Sequence, residues 1–107
     1  MFETAIPEGV TVYRDLHYGQ EHERQALDLY LPPGQGPWPL IVWVHGGAFR
    51  AGSKEGPLPM ACLLQGFAIA SIGYRLSQHA LWPAQIVDCK AAVRWLRAHA
   101  DEYALDS

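Results

Sequence analysis

A chain of 107 residues, half of them hydrophobic and 18% charged, has a globular composition that argues against disorder and allows one domain at most. Its formal net charge of -3, with eight scattered basic residues, gives no electrostatic footing for nucleic acid or an anionic membrane. The start MFETAIPEG has no basic region and no apolar core, and no apolar run approaches the ~20 residues that span a bilayer, so the cytoplasm is the expected compartment.

Val10, Val12, Leu16 and Tyr18 stand at even spacing among polar residues, and Leu27, Leu29 and Leu31 alternate with Asp28 and Tyr30. Both stretches read as half-buried strands, and the short polar Gly19 to Glu23 between them predicts an antiparallel hairpin over 10–32. Pro32, Pro33, Gly34, Gln35, Gly36 and Pro37 then form a loop that neither a helix nor a central strand would tolerate.

Leu40, Ile41, Val42, Trp43 and Val44 form an apolar run without polar alternation, which predicts a strand over 40–45 buried on both faces of a parallel sheet. Leu58, Ala61, Cys62 and Leu64 followed by Gly66 predict a short helix over 57–65 with a glycine past its end. FAIASIGY supplies a second apolar strand over 67–74, and strand, helix, strand in that order predict two parallel neighbours. In the last segment Ile86, Cys89, Val93, Leu96, Ala100 and Tyr103 step by three and four, which puts them on one stripe of a helix over 83–103 that covers the sheet. Lys90, Arg94, Arg97 and Asp101 fall on the opposite side, and Pro83 suits the first turn. Cys62 and Cys89 lie inside these patterns and read as small buried hydrophobes.

The strongest chemical signal is the turn from His45 to Phe49, HGGAF, directly after the apolar strand. Two glycines there could make no more than a tight turn. Placed at the carboxyl end of a parallel strand, where open α/β sheets bind ligands, they can instead leave backbone N–H groups uncovered. An oxyanion hole needs such donors, and the amides of Gly47 and Ala48 are the natural pair.

VHGGAFRAGSK, ASIGYRLS and PAQIVDCKAAVRWLRAHADEY with LDS resemble, in order, the N-terminal part of α/β-hydrolase-fold esterases of the hormone-sensitive-lipase and carboxylesterase kind. The likeness is greatest to bacterial feruloyl and acetyl xylan esterases. It implies an α/β fold made of the hairpin, a parallel βαβ unit and a covering helix, and hydrolysis of a small acyl ester by a serine nucleophile. It also implies that 46–53 is the oxyanion turn, that Phe49 stands near the acyl pocket, and that His45 and Gly46 support the turn rather than take part in proton transfer. The family often has a third glycine where this chain has Ala48; alanine keeps its N–H.

No serine here, neither Ser53, Ser71, Ser77 nor Ser107, lies in the Gly-x-Ser-x-Gly frame that presents the family's nucleophile. The resemblance therefore implies that the nucleophile, acid and base lie outside these residues, and that the chain is inactive by itself. It also implies that strand 40–45 has one unpaired edge open to self-association. An arylformamidase, which shares a similar turn, and a non-catalytic assembly module are the alternative readings.

GAFRAGSK misses a phosphate-binding loop because Ser53 precedes Lys54. The five histidines, His17, His22, His45, His79 and His99, show no close ligand spacing, so neither a metal nor another cofactor is expected. The four tryptophans are better explained by packing than by stacking on bases.

Overall fold

The computed structural model describes residues 6, 8–44, 54, 58–76 and 83–106. Four strands, β1 (Thr11–His17), β2 (Ala26–Leu31), β3 (Leu40–Val44) and β4 (Ala68–Ile72), form one sheet in the order β1-β2-β4-β3. β1 pairs antiparallel with β2, β2 antiparallel with β4, and β3 parallel with β4. A 3-10 helix, Met60–Gln65, connects β3 to β4, and helix α1 spans Ala84–Ala98.

The sheet is covered on both faces across β2 and β4, whereas β3, expected to be buried on both faces, lies at the edge of the sheet and leaves Val42 and Val44 exposed. Leu27, Leu29 and Leu31 of β2 and Ala68, Ala70 and Ile72 of β4 pack on Ala92 and Leu96 of α1, with Ala100 and Leu105 beyond it. On the other face Tyr30 and Ile69 meet Leu58, Met60 and Leu63, with Ile41 and Trp43 of β3 at the side. A strand alternates its side chains between faces, so each strand supplies both clusters.

The two-sided cover corrects the reading of β2 as half-buried. All six of its residues are buried, including Asp28 at 0% exposure. The alternation in its sequence separates one buried layer from another, and the polar positions are satisfied by charged partners. β1, at the sheet edge, is the half-exposed strand. Its ladder shifts register between Tyr13 and Leu16, and Asp15 takes φ 57° there, a left-handed conformation that aspartate tolerates better than most residues.

The short helix expected over 57–65 is a 3-10 helix beginning at Met60. Its buried residues, Met60 and Leu63, stand three apart and so share one side of a helix with three residues per turn. Gly66 ends it at φ 89°, and its N–H reaches the carbonyls of Cys62 and Leu63. Strand β4 is shorter than the expected 67–74.

The expected helix over 83–103 is α-helical only to Ala98, and turns carry the chain to Ala104. Pro83 stands at the N-cap rather than inside the first turn, with its carbonyl accepting the N–H groups of Ile86 and Val87 at 3.0 and 3.1 Å. The helix is also rotated from the expected stripe. Its buried residues are Gln85, Asp88, Ala92 and Leu96, while Ile86, Cys89 and Val93 are partly exposed beside Val42 and Val44 of β3. Polar partners on other elements hold Asp88 inward, and that turns the apolar stripe to one side. Cys62 and Cys89 are correspondingly half-buried free thiols.

After α1 the chain returns to the sheet. Trp38 donates its N–H to the Ala104 carbonyl at 2.9 Å, and Asp106 donates to the Trp38 carbonyl at 2.8 Å, which makes a parallel bridge between Trp38 and Leu105. Among the described residues no helix is long and apolar enough to cross a membrane.

Candidate functional site

The expected site lies where β3 and β4 end. Val44, the last residue of β3, pairs with Ile72 near the end of β4. The residues assigned to the oxyanion turn, Gly47 and Ala48, the acyl-pocket candidate Phe49, and the supporting His45 and Gly46 lie outside the described residues. What can be described is the framework at this end of the sheet. It consists of two networks of buried charge.

The first surrounds Lys54. Asp28 and Ser71 are cross-strand partners on β2 and β4, and Ser71 in turn stands opposite Trp43 on β3. Asp28 and Ser71 both face away from α1. The Lys54 ammonium lies 3.1 Å from Asp28 Oδ1 and 2.8 Å from Asp15 Oδ1. The Lys54 carbonyl accepts the Ser71 hydroxyl at 2.8 Å. Asp28 also accepts the backbone N–H of Asp15 at 2.9 Å and the Arg14 guanidinium at 3.3 Å.

The left-handed turn at Asp15 thus has a purpose, since it aims one main-chain N–H and one carboxylate into the same cluster. The hydrogen bond and charge of Lys54 hold the Asp15 carboxyl below the usual carboxylate range. The Tyr30 hydroxyl, 3.5 Å from the Arg14 guanidinium, is pushed up by burial and by the nearby Asp28.

The second network surrounds Asp88, which is 0% exposed on α1. Its carboxylate accepts Arg75 Nη2 at 2.8 Å, Arg75 Nε at 3.0 and 3.2 Å, the Arg75 main-chain N–H at 2.8 Å and Gln25 Nε2 at 2.9 Å. Burial opposes ionisation of this carboxyl, but the bonds from Arg75 and Gln25 outweigh it and leave the group below its ordinary value. The same network ties the hairpin loop to the segment after β4. Tyr18 donates its hydroxyl to the Gly73 carbonyl at 2.6 Å, Arg24 Nε donates to the Tyr74 carbonyl at 2.9 Å, and Arg75 reaches Glu21 at 3.4 Å. Burial first, and then the Asp88 charge, push the Tyr18 hydroxyl well above the ordinary tyrosine range.

Sequence reasoning did not single out Asp28, Lys54, Arg75 or Asp88. A carboxylate inside an otherwise apolar strand such as ALDLYL was a usable signal, because a charge buried in a sheet needs a cation. Lys54 was weighed only as part of a phosphate loop, and its partners lie on distant strands. Chemically, the described side chains hold backbone in place. Ser71, the one serine among the described residues, lies within β4.

Comparison with known proteins gives a consistent picture. The BD-FAE family model matches residues 27–107. The chain is 38% identical over 73 residues to the esterase LipC of Mycobacterium tuberculosis, covering 65% of this chain and 18% of LipC. It is 33% identical over 98 residues to the esterase LipQ of the same organism, covering 86% of this chain and 23% of LipQ. Among solved structures, a bifunctional GH43-CE protein of Bacteroides eggerthii superposes with a TM-score of 0.82 at 38% identity, over 89% of this chain and 13% of that one. Esterase B of Lactobacillus rhamnosis gives 0.83 at 28% identity, over 95% and 34%. The chain therefore spans about a third or less of each protein in these four comparisons.

Proposed function

Because the chain belongs to the BD-FAE family and has the fold of the N-terminal part of an α/β-hydrolase esterase, we propose that it supplies the oxyanion-hole portion of a serine carboxylic ester hydrolase. The observation that carries this reading is positional. The Gly46–Gly47–Ala48 sequence follows β3 within two residues, at the carboxyl end of a strand with a parallel neighbour, inside a segment matched to esterases along most of its length. The amides of Gly47 and Ala48 would receive the developing charge of the tetrahedral intermediate, with Phe49 beside the acyl group. One such donor contributes about 10²–10³-fold in kcat.

On this reading the serine, acid and base are contributed by residues outside the 107, and a small acyl ester is the substrate of the whole enzyme. The 107 residues alone are expected to hydrolyse p-nitrophenyl acetate no faster than buffer. The same residues followed by the remainder of the hydrolase are expected to turn it over, with loss of activity on treatment with a serine-directed phosphonate. Phosphonate-sensitive turnover by the 107-residue chain itself would overturn the proposal.

The open edge of β3 belongs to the same reading. Val42 and Val44 are 38% and 41% exposed, and among the described residues β3 is paired only with β4. Beside them Ile86, Cys89 and Val93 complete an apolar groove. The Trp38–Leu105 bridge already runs parallel to β3 at its start, which supports a further parallel strand on this edge in the whole enzyme. Without it, a smooth apolar edge invites pairing between copies. Light scattering of the 107-residue chain is expected to give dimers or larger species that dissociate on substituting Val42 and Val44 by lysine. A monodisperse, cooperatively melting monomer is the contrary result.

A further inference from the structure

We propose that Lys54 is a positioning residue for the turn: its ammonium, held by Asp28 and Asp15, and its carbonyl, held by Ser71, fix the point at which the chain returns to the sheet after residues 45–53. The inference rests on the oxyanion reading of that segment.

Val44 enters the segment while paired with Ile72, and Lys54 leaves it bonded to Ser71, the adjacent residue of β4. Val44 and Lys54, the described residues on either side of 45–53, are thus fixed to neighbouring rungs of one strand. Fixing both ends of a loop removes conformations that one free end would allow.

The chemistry of the clamp is specific. A lysine ordinarily keeps its ammonium in water, yet the Lys54 side chain is 11% exposed and Asp28 is fully buried. Two desolvated charges are a poor way to gain stability compared with apolar side chains of the same size. They are a good way to select one geometry, because the ammonium meets its partners only when residue 54 lies over Asp28. The hydroxyl of Ser71 and the two carboxylates hold main chain and side chain separately. Donors that act on a transition state are sensitive to placement, and a shift of about 1 Å can cost about 10²-fold in rate.

Hydrogen exchange on the 107-residue chain, and kinetics on the same residues followed by the remainder of the hydrolase, each compared with Lys54→Met and Ser71→Ala, test the inference. Ser71→Ala removes one hydroxyl and strands no charge, so it keeps the test decisive when Lys54→Met perturbs the fold. Amide exchange across 45–53 is expected to rise about tenfold in Lys54→Met and by a smaller factor in Ser71→Ala, relative to unchanged protection over Ala68–Ile72. In the active enzyme kcat is expected to fall by about tenfold or more with KM within about twofold, the pattern of an interaction made in the transition state. Unchanged exchange across 45–53 in both variants would overturn the proposal, as would unchanged kcat. No esterase activity in the 107 residues followed by the remainder of the hydrolase, together with the expected exchange pattern, would overturn the functional reading and leave the anchor standing.

Discussion

Replacing Asp88 by alanine is expected to cost about 3–5 kcal/mol of folding stability, a large share of the ~5–15 kcal/mol that a domain has. The carboxylate is fully buried and accepts from Arg75 and Gln25 at 2.8 to 3.2 Å. Without it the Arg75 guanidinium, whose side chain is 15% exposed, keeps only the 3.4 Å contact to Glu21 in this network. Most of the cost is that stranded charge rather than the lost attraction. Chemical denaturation monitored by tryptophan fluorescence measures it, and a change below about 1 kcal/mol would show that the network is dispensable.

Asp88 also carries a pH signature. Its folded-state value is depressed below the ordinary aspartate value, so its contribution is fully present above about pH 4 and is lost as pH falls through the depressed value. An Asp88→Asn variant, less stable at neutral pH, is therefore expected to lose less stability than the wild type between about pH 4 and pH 2.

The second large effect is expected at Gly73. A Cβ there would come within 2.7 Å of the Arg24 carbonyl oxygen and 2.8 Å of the Ala26 carbonyl oxygen, both of them main chain. Neither can swing aside as a side-chain tip would. Gly73 also donates its N–H to Ala26 at 2.8 Å and accepts the Tyr18 hydroxyl at 2.6 Å, so a displaced backbone loses both bonds. Gly73→Ala is expected to cost about 2–3 kcal/mol and to lower Tm by ~10–20 °C, read by differential scanning calorimetry. A loss of under about 3 °C would mean that the hairpin loop and the end of β4 can part without penalty.

Strands β3 and β4 and the body of α1 were legible because their signals are local: unbroken apolar runs of strand length and a three-four periodicity. The hairpin was legible for the same reason. Facing was not. The alternation in ALDLYL has the same appearance whether Asp28 meets water or a lysine, and Lys54 stands well along the chain on the far side of β3. The stripe on α1 was misplaced because a helical wheel counts Asp88 as a surface residue, while Gln25, 63 residues away in sequence, makes it a core one. The reading of Gly47 and Ala48 as amide donors rests on the sequence alone, because both lie outside the described residues, and the charged cluster of Lys54, Asp28 and Asp15 was not legible because its members are far apart in the chain.

The two edges of the sheet differ in kind. β1 is interrupted by a register shift at Asp15 and carries Arg14, Asp15 and His17, so a new strand would meet a kink and unlike charges there. β3 is regular and apolar over Leu40–Val44. Addition of strands is thereby directional: a further strand, whether from another part of the same protein or from a second copy, is accepted beside β3 and refused beside β1.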